Sequence, residues 1–493
     1  MKYNYDLIVI GGGAGGLTSS GLSASLGAKT ALVEKSRLGG DCTWYGCVPS
    51  KALLKAAKVA YTFKSAEKYG IKSSNPEFDF SAIMKNIHKI QEEIYKEADA
   101  PEIYEKMGID VIKAKAIFKD SHTIEVIDEK GLQRKITSKY FVIATGGSPV
   151  VPKIDGIKEI KYYTNENLFT LEKLPESIAI IGSGPIGTEM SQAFNRLGSK
   201  VTIIDIGERI LQNDDEELAK LLQKILKAEG INYLFKNKVK KFEKINNKIK
   251  VVSENESRNE TEVLCDAVLL SMGRKPNIDE LNLDNIRVKT NKKGIIINKY
   301  CRTSVKNIFA VGDVGGTFQF THYAEHMAKK AVSTALFHIP FSLEPENIVW
   351  STYTEPEMAH AGLTEKQLKE KNIKYETYRF PFNKIDRAKT ELETEGWIKI
   401  YAKSFNGKIY GADILGYNGG EMIGELSLAI KNGVTLRKFS DTIHPYPTYL
   451  LGNRRAADQW YVRKQSQTLI KFLQIIFGYR GKLLDKKNSE EIV

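Results

Sequence analysis

Cysteine is scarce in this chain, four in 493 residues, and histidine is little commoner at seven. So small a supply excludes a disulfide-stapled scaffold and leaves too few soft ligands for zinc clusters, so no resident metal site is expected. Long hydrophobic runs are missing too: there is no stretch of about 18 or more apolar residues, which excludes a membrane-spanning helix. The opening residues Met1-Lys2-Tyr3-Asn4-Tyr5 lead straight into a strand without an apolar leader. The expectation is a cytoplasmic protein, where paired cysteines are more often catalytic than structural. A dense basic block interleaved with aromatics is also lacking, although 73 Lys and Arg against 60 Asp and Glu leave a net charge of +13. The cations are scattered, which argues against nucleic acid and for a solvated surface that favours anionic cofactors or a membrane face.

With 42% hydrophobic and 27% charged residues the composition is that of an ordinary soluble protein, long enough for about three domains. Its most distinctive stretch is Gly39-Gly40-Asp41-Cys42-Thr43-Trp44-Tyr45-Gly46-Cys47-Val48-Pro49-Ser50-Lys51. Two cysteines so close together before an Ala/Leu-rich helical pattern can close a reducible disulfide. A helix N-terminus and the Lys51 ammonium both stabilise a thiolate, so Cys47 is the candidate thiolate and Cys42 the exchanging thiol. A structural disulfide and half of a metal site are the alternatives. Upstream, the strand Tyr5-Asp6-Leu7-Ile8-Val9-Ile10 runs into Gly11-Gly12-Gly13-Ala14-Gly15-Gly16, a small-residue helix and a second strand ending in Glu34. In this G-x-G-x-x-G pattern Gly11 makes the turn, Gly13 admits a pyrophosphate, Gly16 packs helix on strand, and Glu34 accepts ribose hydroxyls. Gly182, Gly184, Gly187 and Asp205 repeat the four positions at one constant offset, again in a strand, loop, helix, strand setting.

The cysteine run closely resembles the active-site signature of the pyridine nucleotide-disulfide oxidoreductases, flavoenzymes that include dihydrolipoamide dehydrogenase, glutathione reductase and mercuric reductase. The resemblance implies that Cys47 stacks on a flavin, that Cys42 attacks substrate, and that the first loop holds FAD while the second holds the nicotinamide cofactor. Phe141-Val142-Ile143-Ala144-Thr145-Gly146-Gly147 resembles the family's crossover out of the FAD domain, with Thr145 and Gly146 near the cofactor. Ile308-Phe309-Ala310-Val311-Gly312-Asp313 resembles the return, with Asp313 toward the ribityl and phosphates, and Gly273 falls to the nicotinamide site. The helix opened by Thr321-His322-Tyr323-Ala324 would point at the flavin pyrimidine, with Ala324 beside it and His322 a cap or packing residue. Lys51 and Glu189 match a pair beside the flavin N5.

The implied fold is α/β, with two Rossmann-like domains for FAD and NAD and an α+β dimerisation domain. Its segments are 1–150 and 273–345 for FAD, 151–272 for NAD, 346–465 for the dimer interface and 466–493 for a basic amphipathic tail. Helical spacing of Ile83, Ile87, Ile90 and Ile94 predicts one long surface helix over 78–107. Asp205, with Ile206 where NADPH-using relatives place an arginine, predicts NADH over NADPH; Arg209 is the one nearby cation. In Ile443-His444-Pro445-Tyr446-Pro447-Thr448-Tyr449-Leu450-Leu451, relatives that reduce disulfides carry a histidine at the Tyr446 position and a glutamate at Leu451. A tyrosine with pKa near about 10 is a poor acid–base partner for a dithiol. Tyr446 there resembles mercuric reductase, whereas His444 could substitute only in another register. Cys265 and Cys301 read as inert cysteines in strand-like settings. The function implied is a homodimeric NADH oxidoreductase passing electrons through FAD and Cys42–Cys47 to a soft metal ion or another thiol-reactive acceptor. The alternatives are a reductase of low-molecular-weight disulfides, such as a dihydrolipoamide dehydrogenase, and a membrane-surface electron-transfer or redox-sensing flavoprotein. In the tail, Leu469, Phe472, Leu473 and Ile476 share a helical face, expected to pack on the dimerisation domain; peripheral contact with the membrane's inner face is the alternative.

Overall fold

The computed structural model describes residues 2–72, 77–316, 318–464 and 467–481. By contacts the chain forms two units, Met1–Glu208 with Glu229–Glu344, and Arg209–Ala228 with Pro345–Val493. In the first unit the apolar runs become parallel strands buried on both faces, as continuous Val/Ile/Leu segments should. Strand Tyr5–Ile10 lies between Thr30–Glu34 and Gln133–Ile143, with Ile8 opposite Ala31 on one side and Phe141 on the other. Asp110–Lys113 extends one edge, and Ile308–Ala310 returns after a long excursion to pair with Gln133–Ile143. The crossover and return strands thus meet in one sheet. Within the excursion, Asn232–Leu234, Lys200–Ile204, Ser177–Ile181 and Ala267–Leu270 form a second parallel sheet. A three-stranded antiparallel sheet accompanies it. Both glycine loops therefore sit at the carboxyl ends of parallel strands, where dinucleotide-binding crevices form.

The second unit is built on a five-stranded antiparallel sheet in the order Val349–Thr352, Glu357–Gly362, Ile409–Gly416, Trp397–Ala402, Glu376–Pro381. Its core packs Tyr378, Phe382, Ile398, Ile400 and Ile414 with Met422 and Leu426 of helix Gly419–Lys431 and Ala456 of helix Leu451–Lys464. Segment Arg209–Ala228 groups with this unit because it carries the acids that its sheet needs. Trp350 Nε1 donates to Asp214 at 2.7 Å, and the buried Lys399 ammonium reaches both Asp215 oxygens at 2.8 and 2.9 Å. Tyr401 donates to Asp413, which also pairs with the fully buried His360 at 2.7 Å.

Three expectations need correction. The single helix over 78–107 is broken: Phe80–Ile94 continues as one wider turn, Tyr95–Asp99, and a separate short helix begins at Pro101. Pro101 offers no backbone N–H and forces the preceding residue out of helix. Cys301 is not in a strand but in a left-handed turn at φ 59°, buried with its thiol on the Met327 carbonyl. The tail helix Gln467–Phe477 buries none of its residues against the rest of the chain, leaving only Ile470, Leu473 and Gln474 half-covered. Residues 465–466 and 482–493, which complete the tail segment, lie outside the described residues.

Candidate active site

Cys42 sits in the short helix Gly40–Trp44, and Cys47 is the first residue of helix Cys47–Lys64. The turn between them closes through Tyr45 N–H to the Asp41 carbonyl at 2.8 Å. Gly46 keeps this turn uncrowded, because a Cβ would lie 3.0 Å from that carbonyl. The two cysteines are not joined by a disulfide in this structure, and Cys42 donates to Cys47. That hydrogen bond, a Thr321 hydroxyl at 3.5 Å and the Lys51 ammonium lower the Cys47 pKa to about 6, against partial desolvation and the Glu189 carboxylate. Donating to Cys47 and burial together push the Cys42 thiol up. Thr321 begins helix Thr321–Phe337, so two helix N-termini converge on one sulfur. Lys51, one turn after Cys47, pairs at 2.8 Å with the nearly buried Glu189 of helix Pro185–Leu197, which joins the cysteine helix to the second glycine loop.

Several groups that hold this turn carried no sequence signal. Thr43 donates to Asp99 at 2.7 Å, Gln91 donates to the Thr43 and Trp44 carbonyls, and Arg37 stacks on Trp44 and Tyr95. Asp41 accepts from Asn165 at 2.9 Å and faces the Arg274 guanidinium at 3.3 Å; Arg274 in turn reaches Asp313 at 3.1 Å. The charged neighbour of Cys42 is visible in the sequence, but its partners become visible only when the chain is folded.

The two loops fit dinucleotides by the same physical criteria. A Cβ on Gly11 would lie 2.4 Å from the Ala144 carbonyl oxygen and one on Gly16 1.8 Å from that of Gly11. The same holds at Gly182 and Gly187, whose added Cβ would be 2.4 Å from Ser271 O and 2.0 Å from Gly182 O. At Gly184 a Cβ would meet open space, as the close approach of a phosphate requires, while near Gly13 only the Gly40 Cα comes within reach. Glu34 accepts from the Gly12 and Ser36 amides at 2.6 and 2.7 Å, and Asp205 from Ser183 and Gly207, both at 2.6 Å. Each acid is thereby fixed over its own loop. Thr145 and Gly146 are braced by Asn277, Gly273 accepts from the Val150 amide, and the Ala324 methyl lies against Gly15 and Gly312. Asp313 is largely buried, and desolvation raises its pKa despite Arg274.

In the second unit His444 is buried, with Nε2 2.6 Å from Glu425 and Nδ1 2.9 Å from the Thr442 carbonyl. Both ring nitrogens are engaged, so proton transfer from His444 would first require breaking one of these bonds. Tyr446 is 72% exposed. Cys265 and Cys301 are buried and their thiols pushed up to about 11 and about 12.

Residues 5–328 match the family described as pyridine nucleotide-disulphide oxidoreductase, and residues 348–452 match its dimerisation domain. A mercuric reductase of Lysinibacillus sphaericus is 34% identical over 92% of this chain and 82% of its own length. A dihydrolipoyl dehydrogenase of Geobacillus stearothermophilus is 33% identical over 90% of this chain and 93% of its own. Among solved structures, the Cu(II) complex of the HOCl-induced flavoprotein disulfide reductase RclA from Escherichia coli superposes with a TM-score of 0.82 at 26% identity, covering 94% of this chain and all of that one. The chain belongs to the pyridine nucleotide-disulphide oxidoreductase family. It is accordingly a flavoprotein enzyme that uses FAD and a pyridine nucleotide.

Proposed function

We propose that the protein is a homodimeric NADH oxidoreductase that delivers electrons through Cys42 and Cys47 to a soft or redox-active metal ion. When bound, FAD supplies the two-electron carrier between the nicotinamide and the cysteine pair. The chain's own residues do the rest. Cys47 is held as a thiolate by Cys42, Thr321 and Lys51, Glu189 fixes Lys51, and Cys42 is the thiol left to engage the acceptor. In the transfer the Cys47 thiolate and the Cys42 thiol close to a disulfide, giving two electrons to two Cu(II) or one Hg(II) and releasing the one proton that Cys42 carries.

The observation that carries the choice of acceptor is the state of the 443–449 loop. A dithiol exchanging with an organic disulfide needs an accessible acid–base group near neutral pH. Here the exposed side chain is Tyr446, and the nearby imidazole, His444, is bound at both nitrogens. A metal ion that takes electrons from the thiolate and thiol pair needs no such acid, since the pair loses a proton and no leaving group has to gain one. Mercuric reductase and the Cu(II) complex of RclA, both similar to this chain, make the same acceptor class chemically reasonable. In the homodimer, Tyr446 would complete the partner's site. For the cofactor, Asp205 over the second loop repels a 2′-phosphate, and Ile206, 72% exposed, offers it no cation. The Arg209 guanidinium donates instead to the carbonyls of Ile210, Leu211, Gln212 and Asp214.

The test is NADH oxidation by purified holoenzyme with lipoamide, or with Cu(II) or Hg(II) in excess thiol. Metal-dependent turnover that Cys42→Ser abolishes is the expected result. Rapid lipoamide turnover would overturn the reading and return His444 to the mechanism.

A further inference from the structure

Helix Gln467–Phe477 is eleven residues long, about 16 Å, roughly half of the ~30 Å needed to cross a bilayer. Seven of its residues are apolar: Leu469, Ile470, Phe472, Leu473, Ile475, Ile476 and Phe477. At helical spacing they sweep more than half the circumference, interrupted only by Thr468, and leave one polar strip of Gln467, Lys471 and Gln474. Most of the apolar arc faces outward: Ile475 is 83% exposed, Phe477 60% and Phe472 56%, with Ile470 and Leu473 half-covered, and Tyr479 stacks on Phe477 just beyond the helix end. So much aliphatic and aromatic surface on one short element is what a soluble fold normally covers. Its charge says what could cover it. From Gln459 to the last residue the sequence carries seven Lys and Arg, among them Arg463, Lys464, Lys471 and Arg480, against the three acids Asp485, Glu490 and Glu491.

We infer that this helix docks the enzyme on an anionic lipid surface, lying in the plane of the interface with its apolar arc among the acyl chains and its cations against lipid phosphates. A helix too short to span, apolar on a wide arc and set in a segment of net positive charge has the properties of an interfacial anchor. A cover supplied by a second copy would bring two net-basic tails together, seven cations against three acids on each, so an anionic lipid surface is favoured over self-association. The inference does not depend on which acceptor the cysteine pair reduces.

The experiment is flotation of full-length holoenzyme with vesicles of phosphatidylcholine alone or mixed with phosphatidylglycerol, alongside its mass in solution without lipid. Binding to the anionic vesicles should exceed that to neutral ones by about tenfold or more and fall with added salt. The double variant F472E/I475E should lose this binding while keeping wild-type NADH turnover. Equal binding to both vesicle types, no binding to either, or binding that survives the double variant overturns the inference. So does a larger assembly in lipid-free solution that F472E/I475E reduces, which would give the arc to a second copy. Should the variant fail to express, Lys471→Glu with Arg480→Glu tests the charge half alone and must also lower anionic binding.

Discussion

Two thiols in contact divide their protons unevenly when one donates to the other and a cation lies nearer the acceptor; the Thr321 hydroxyl acts on both sulfurs. Cys47 receives the Cys42 S–H, lies 3.5 Å from the Thr321 hydroxyl and feels the Lys51 charge, whereas Cys42 has its S–H committed to Cys47. A thiol whose pKa is depressed carries charge above that pKa and loses it as pH falls through it. In the reduced protein, the thiolate absorbance of wild type minus that of Cys47→Ser should therefore rise with a midpoint near about 6. Cys265 and Cys301, raised to about 11 and about 12, stay silent in that window. Lys51→Met should move the midpoint upward, because it removes a cation from the thiolate side. A midpoint near the ordinary cysteine value of about 8.5 would mean that the donors around Cys47 do not act on it.

At the scale of elements, the second unit is held by charges that sequence reading gave no reason to connect. Lys399 lies in strand Trp397–Ala402 with a side chain 5% exposed, and Asp215 just before helix Glu216–Ala228 with one 3% exposed. Removing one member of a buried ion pair strands the other in a poor solvent, at a cost of about 3 to 5 kcal/mol. Lys399→Met should lower the stability of this unit by that order in urea unfolding. Tryptophan fluorescence is a suitable readout, since Trp350, Trp397 and Trp460 all lie in the unit and Trp350 touches Asp214 of the same segment. An unchanged transition would show that Glu217, 2.7 Å from the same ammonium, holds the segment by other means. These partners explain what was legible. Gly16 and Gly187 could be read from sequence because their constraint is local, each packing on the glycine five residues before it, whereas Gly11 and Gly182, set against the distant Ala144 and Ser271 carbonyls, were legible through the motif's spacing. Lys399 and Asp215, like Asp99 and Thr43 or Arg274 and Asp41, are brought together only by tertiary folding, and no periodicity announces them. The tail misled for the opposite reason, since an apolar helical face signals burial without naming the surface that buries it.

Across the whole molecule the net charge of +13 acts on small anions before any contact is made. The nicotinamide cofactor carries a pyrophosphate, and a cationic protein raises its local concentration and its rate of encounter. Asp205 works against this at short range, fixed over the second loop by the Ser183 and Gly207 amides, so long-range attraction and short-range selection are separable. Raising ionic strength from about 0.01 to about 0.15 M shortens the screening length from about 30 to about 8 Å. Over that range kcat/KM for NADH should fall several-fold, while kcat, measured at saturation, holds. Asp205→Asn should leave the salt dependence in place and narrow the preference for NADH over NADPH, because it removes the repulsion of a 2′-phosphate without altering the distant field. A kcat/KM insensitive to salt would place the excess cations too far from the nicotinamide site to steer its ligand, and their use would then lie elsewhere on the surface, beginning with the basic surroundings of helix Gln467–Phe477.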